Sequence, residues 1–238
     1  MAQARALSLL ILLSLMCPGV ASACFDNDGD GGNVGTVGDG RLVSAMSLAE
    51  QSLVVGDMVF SNFQFSSFAD GTFAPSGDWL FVEGVYDEST GQYSLEFFTL
   101  WIAGRDDAAT AQFSYDAALA ETSEHHIATT ELKLTGTVAT GDAMIAASQF
   151  IESADGAILA SLETSRQSGD GRAFLSDQAQ FGPARSIRVS STISLVGGED
   201  RGLAYVGQFS QSFGVLPEPA TVALLSAGAV TFLARRRR

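Results

Sequence analysis

The acidic run Asp26-Asn27-Asp28-Gly29-Asp30-Gly31 sets oxygen ligands at alternate positions and a glycine where a calcium loop turns sharply. Asp26, Asp28 and Asp30 are therefore the metal-ligand candidates of the chain. The bidentate carboxylate that closes a twelve-residue loop would fall at Val37, and Asp39 comes two residues late. The run holds half a calcium site, which acids elsewhere, such as Asp106 and Asp107, would have to complete. Otherwise residues 24–40 read as a solvated Asp/Gly leader, and no other cofactor is expected.

Other chemistry is sparsely supplied. His125 and His126 are the two histidines. Neighbours on a strand point to opposite faces, so the pair does not share one metal, and the domain offers no third nitrogen or thiolate for zinc. A serine nucleophile would need a strained Gly-x-Ser-x-Gly turn, and the chain has none. Among so many acids some carboxylates must stand at the ~5–9 Å that glycoside hydrolysis uses, yet nothing nominates two of them. Trp79, Trp101, Tyr86, Tyr93 and Tyr205 offer rings for a sugar-stacking platform, although core packing is the simpler account of each.

The elements that must position these groups are strands. Gln92 to Gly104 places Tyr93, Leu95, Phe97, Thr99 and Trp101 on one face. Its other face turns from polar to apolar at Phe98, Leu100 and Ile102, which predicts cover on both sides towards that end. Thr129 to Val138 alternates Leu132, Leu134, Gly136 and Val138 against Glu131, Lys133, Thr135 and Thr137. Ser186 to Val196 puts Ile187, Val189, Ile193 and Leu195 inward, and Leu203, Tyr205, Phe209 and Phe213 share a phase. Period two is the mark of a half-buried strand. Turn residues separate the runs, and Asp155-Gly156 predicts a two-residue hairpin between 143–152 and 157–164. The apolar phase shifts between Phe60 and Phe63, which predicts a bulge at Ser61-Asn62. Residues 106–120, rich in alanine, fit a short helix as well as a strand. Ten to twelve strands without βαβ alternation predict an all-β domain over residues 41–214, an antiparallel β-sandwich or jelly roll.

Composition narrows the class. Of 27 acidic residues only Glu218 lies outside 24–217, and that segment holds 8 of the 13 basic ones. So acidic a domain is no nucleic-acid binder, which needs clustered Lys and Arg. Hydrophobic content of 46% with 16 Phe excludes a disordered acidic chain. Both cysteines, Cys17 and Cys24, precede the domain, so no disulfide framework holds it.

Both ends carry addresses. Ala6 to Met16 is apolar but too short to span a bilayer. Cys17-Pro18-Gly19 stops it, and Ala21-Ser22-Ala23 is the small-x-small pattern of a cleavage site. Residues 1–23 are expected to be a signal peptide, removed by signal peptidase between Ala23 and Cys24. Cys24 would also suit lipidation, but the favoured leucine three residues before it is Ala21 here. At the other end Pro217-Glu218-Pro219 precedes an uncharged stretch, residues 220–234, and then Arg235, Arg236, Arg237 and Arg238. As a helix the stretch rises ~22 Å at 1.5 Å per residue, short of the ~30 Å hydrocarbon core. A transmembrane helix of that length is a poor permanent anchor. The arginines stay cytoplasmic, which leaves the domain outside. Pro219 keeps Glu218 extended, a form suited to presentation to a processing enzyme.

Pro-Glu-Pro, a short apolar helix and a terminal Arg cluster resemble the PEP-CTERM sorting signal of Gram-negative bacteria that make exopolysaccharide, here over residues 215–238. The resemblance implies an exosortase as partner, with cleavage at or near Pro217, Glu218 and Pro219. Val55 to Phe65 is similar to a Gly-Asp-x-x-Phe-Ser-Asn-Phe stretch of domains carried by this tag, and Ser186–Val196 with Gln208–Phe213 to their closing hairpin. The sequence thus predicts a non-enzymatic protein exported through the inner membrane, tethered with its domain periplasmic, then processed to the cell surface or extracellular matrix. A carbohydrate-binding module for extracellular polysaccharide is the alternative, and a carboxylate-dependent hydrolase a further one.

Overall fold

The computed structural model describes residues 42–71, 74–168, 173–199 and 202–217, all within the compact unit Val34–Arg238. The expected signal peptide, Asp/Gly leader and sorting helix lie outside these residues. Among the described residues no helix is long and apolar enough to cross a membrane.

Among the described residues thirteen strands form: β1 (Val43–Ser44), β2 (Leu53–Val55), β3 (Met58–Asp70), β4 (Phe81–Asp87), β5 (Gln92–Ala103), β6 (Ala108–Leu119), β7 (His125–Thr140), β8 (Met144–Ser153), β9 (Ile158–Gln167), β10 (Ala173–Phe174), β11 (Ser176–Ala184), β12 (Ser186–Val196) and β13 (Leu203–Pro217). They make two antiparallel sheets, a six-stranded one in the order β1-β4-β5-β13-β7-β11 and a seven-stranded one in the order β10-β9-β8-β12-β6-β3-β2. Single-turn helices at Ser47–Ala49 and Gly77–Trp79 pack beside β1, β3 and β5.

Alternation decides which side chains fill the space between the sheets. Leu95, Phe97, Trp101, Phe209 and Phe213 point in from the six-stranded sheet, and Phe60, Phe113, Tyr115, Ile145, Val189 and Ile193 from the seven-stranded one. Rings meet within and between the sheets: Phe97 stacks on its cross-strand neighbour Phe209 at 4.6 Å between centroids, and Phe113 of the other sheet lies 5.1 Å from Phe97 across the gap. Offset and edge-on ring pairs add about 0.5–1.5 kcal/mol each beyond their buried area. One polar thread crosses this core. Tyr115 Oη donates to Gln211 Oε1, and Gln211 Nε2 donates to Ser191 Oγ at 2.7 Å, joining the two sheets by satisfied hydrogen bonds. Burial pushes the Tyr115 phenol well above its ordinary value.

One open alternative is resolved and three local expectations need correction. Residues 106–120 hold a strand, not a helix, and Ala109, Ala111, Phe113, Tyr115, Ala117 and Leu119 are all buried at period two. The β5 strand is not covered on both faces, because Leu100 is 37% exposed. In β7 and β13 the phase reverses at Gly136 and Gly207: Thr137, Ala204 and Val206 point inward, whereas Val138 is exposed and Leu203 and Tyr205 are half-exposed. The register shifts there, and a Cβ on Gly136 would meet the Gln208 nitrogen at 2.9 Å, so only glycine passes. Last, the β8–β9 loop has three residues, Ala154 to Gly156. Ser153 and Ala157 close it, and Gly156 takes the left-handed conformation at φ +84°.

Candidate functional site

The predicted processing and metal residues are mostly outside the described residues: Ala23, Cys24, Asp26, Asp28, Asp30, Glu218, Pro219 and Arg235 to Arg238. Pro217 is described. It ends β13, three residues past the expected limit of the domain, because Val215, Leu216 and Pro217 continue to pair with Ile127, His126 and His125 of β7. The sorting tripeptide therefore starts inside the sheet. Beside it, His125 Nδ1 lies 3.4 Å from Ser123 Oγ, and His126 Nδ1 is buried without a hydrogen-bond partner. Asp106, at φ +59°, pairs on the surface with Arg105 at 3.3 Å. Among the described residues no three of His, Cys, Asp and Glu gather as metal ligands do.

The five candidate aromatic residues do not assemble into a platform. Trp101 is 1% exposed and packs on Phe65 and Phe209, and Tyr93 is buried against Tyr86. Trp79 is 58% exposed, but it precedes β4, whereas Tyr86 lies near that strand's far end. Alternation marks a ring as facing one side; only the sheet order shows which side is covered.

The outer face of the seven-stranded sheet holds an arrangement that periodicity does not nominate. Across β3, β6, β12 and β8 one row reads Gln64, Ser114, Ser190 and Phe150. The next reads Ser66, Gln112, Thr192 and Ser148, and a third Phe68, Thr110, Ser194 and Ala146. None of these side chains is charged. A groove of ≈ 340 Å³ runs over the first two rows, with Phe150 (42% exposed) along it and Phe68 (71% exposed) beyond. At one end the bulge at Ser61-Asn62 appears as predicted, with Asn62 left-handed at φ +57°. Asn62 Nδ2 donates to Asp116 Oδ2 at 2.7 Å, and Arg188 Nε donates to Asp116 Oδ1 at 2.9 Å. The Arg188 hydrogen bond, helped by that of Asn62, lowers the Asp116 pKa against the opposing effect of burial. The only sequence signal for this face is that the outward positions of 108–115 and 189–196 lack charge.

The outer face of the six-stranded sheet differs. Glu83 of β4 stands directly opposite Glu96 of β5, and the same row continues through Ser210 to Lys133. Burial, and then the Glu96 charge, raises the Glu83 pKa. Gln208 Nε2 donates to Glu96 Oε2 at 3.2 Å. A second groove of ≈ 350 Å³ here is lined by Gln92, Thr129, Glu131, Gln178, Gln180 and Ser212, among others. Glu83 and Glu96 are thus two like charges in direct cross-strand opposition on an open sheet surface.

Comparison with curated proteins gives no match. Among solved structures the chain is similar to the carbohydrate-binding module TmCBM61 in complex with beta-1,4-galactotriose, at 12% identity and TM-score 0.30, over 66% of this chain and 90% of that one. It is also similar to the enzymatically active domain of Bacteriophage CBA120 tailspike protein 4, at 14% and 0.27, over 66% of this chain and 20% of that one. Carbohydrate-binding modules from the beta-sandwich superfamily match at 11% and 0.22, over 68% and 58%. Likeness at this level carries no functional argument. The family model of the PEP-CTERM protein-sorting motif matches residues 215–238. By that C-terminal segment, whose first three residues are the last of β13, the chain is a PEP-CTERM sorting-domain protein.

Proposed function

We propose that this protein is a non-enzymatic component of the cell surface or extracellular matrix. It is led across the inner membrane by residues 1–23, loses them to signal peptidase, and stays tethered by residues 220–234. An exosortase then acts at or near Pro217-Glu218-Pro219. The observation that carries this reading is the sorting motif at residues 215–238. Its continuity with β13 adds a mechanical detail: Leu216 and Pro217 are strand-paired with His126 and His125, so the processing enzyme meets its site at a sheet margin rather than on a free linker. The groups that converge on the two outer faces are mostly hydroxyls, amides and carboxylates, which hold a ligand or partner through hydrogen bonds.

The test is fractionation of producing cells. Deleting Ala220–Arg238 should move the domain from the membrane fraction to the medium or periplasm, and mass spectrometry of the wild-type mature protein should place its new C-terminus within residues 216–220. Retention of the deletion variant in membranes would refute the tether. A second reading, binding of extracellular polysaccharide, is favoured by the uncharged central rows on the outer face of the seven-stranded sheet.

A further inference from the structure

We infer that the uncharged middle of this face, flanked by Asp116, Arg188, Glu152 and Glu163, binds a neutral polysaccharide laid across β3, β6, β12 and β8, with a sugar ring stacked on Phe150. The inference rests on the reading that the domain binds extracellular polysaccharide, and it specifies where and of what charge.

Charge selects the class. The chain carries a formal charge of −14, and a polyanion brought to it meets repulsion everywhere that acids populate the surface. The three rows from β3 to β8 contain no ionised group, so a neutral polymer settles there without desolvating a charge, which is the costliest part of most polar interfaces. At the margin Arg188 neutralises Asp116, and Asn62 takes up its second oxygen. No free charge projects into the groove from that pair.

Side-chain chemistry selects sugar. Hydroxyls and carboxamides both donate and accept, so Gln64, Ser114, Ser190, Gln112 and Thr192 match a ligand whose every hydroxyl does the same. A pyranose also presents an apolar C–H face, and an exposed ring such as Phe150 buries it. Geometry orders the two. Strands lie about 4.8 Å apart, so a polymer crossing them meets a new polar side chain at each strand while Phe150 holds one ring at the β8 side. The positions are fixed because each belongs to a paired strand, with β6 and β12 in register over the full length of β12. Pre-set groups lose little freedom on binding, which favours recognition of a repeating polymer.

Affinity electrophoresis of the full-length protein in detergent micelles tests this, through gels containing neutral polymers (β-galactan, arabinoxylan, β-glucan) or anionic ones (alginate, polygalacturonate). Retardation by at least one neutral polymer and by neither anionic one is the expected result. Phe150→Ala and Gln112→Ala should each weaken retardation several-fold, up to about ten-fold for the ring, and Thr192→Glu should abolish it. Gln178→Ala on the other sheet should leave it unchanged. Unfolding temperatures of the variants, all at outward positions, verify that they fold. If no polymer retards the wild type, the polysaccharide reading itself falls. If a neutral polymer retards wild type and all three face variants alike, binding stands but this site is wrong. Retardation by alginate or polygalacturonate overturns the neutral class.

Discussion

The outer faces of the two sheets grow from the same alternation of inward apolar and outward polar residues, yet they carry different chemistry. On the seven-stranded sheet three successive rows hold hydroxyls, amides and two exposed phenylalanines. On the six-stranded sheet Glu83, Glu96, Glu131 and Lys133 occupy the equivalent outward positions. Solubility alone asks only for charge somewhere on the surface. An acidic protein that keeps the middle of one sheet face free of charge, with Asp116, Arg188, Glu152 and Glu163 at its margins, has separated the two tasks: the charged surface repels, the neutral patch is left open for a partner. The carboxylates at the two faces also shift oppositely, with Glu83 raised by burial and Glu96, and Asp116 lowered by Arg188 and Asn62.

The largest effect tests whether both faces belong to one cooperative body. Trp101→Ala removes a fully buried ring of the six-stranded sheet and should cost about 3–5 kcal/mol in denaturant unfolding. Polysaccharide retention should vanish in the same transition. If retention outlived the melting of the rest, the two sheets would be independent and the comparison would fail. Next comes Gln149, which lies on the inner side of β8, flanked by Phe150. It is fully buried, and neither its amide nitrogen nor its oxygen finds a partner among the described residues. Gln149→Met should raise stability by about 1–2 kcal/mol, because it removes two desolvated polar atoms at similar volume. A loss of stability would mean that those atoms are satisfied in the native protein.

Asn62→Ala should cost about 1 kcal/mol or more, since alanine lacks the short polar side chain that makes the left-handed conformation tolerable for asparagine and the bond to Asp116 is lost. Asn62→Gly keeps the backbone and should cost less. The smallest effect sharpens the contrast in charge. Glu83→Gln removes one of two like charges in direct cross-strand opposition and should stabilise by about 0.5 kcal/mol at neutral pH. The sign follows from the raised folded pKa: the native state holds this proton at a pH where the unfolded chain has released it, so stability falls as pH climbs above the ordinary glutamate value. The gain from Glu83→Gln should therefore shrink as pH falls through that value. Asp116 behaves oppositely. Its contribution is present above the ordinary aspartate value and lost as pH falls through the lower folded one, and Arg188→Ala should flatten that limb. Melting curves at stepped pH read both slopes.

Much of the fold is legible in the chain. Ser186–Val196 faces the core as its alternation predicts, and Asn62 sits at the predicted bulge. Errors fall where one backbone event reverses a pattern. Leu203 and Tyr205 share a phase with Phe209 in the sequence, but the irregularity at Gly207 turns them to the other face. Alanine in 106–120 left the period undecided because a small side chain suits either element, and contact of Phe113 and Tyr115 with opposing rings settles it. Trp79 and Trp101 look equally apolar in one dimension. A neighbouring sheet covers one and leaves the other in solvent.

What the sequence determined alone is the sorting motif and the architecture class. A Pro-Glu-Pro tripeptide, a short uncharged stretch and four arginines are recognisable by length, hydropathy and charge, quantities that are local and need no partner in space. Period-two alternation is local in the same sense and marks strands. The tertiary structure alone decided which outward residues stand side by side: Phe150 with Ser190, Ser114 and Gln64, and Glu83 with Glu96. Those neighbours are far apart along the chain or divided by a turn, and strand order brings them together through hydrogen bonds between backbones that carry no record of side-chain identity.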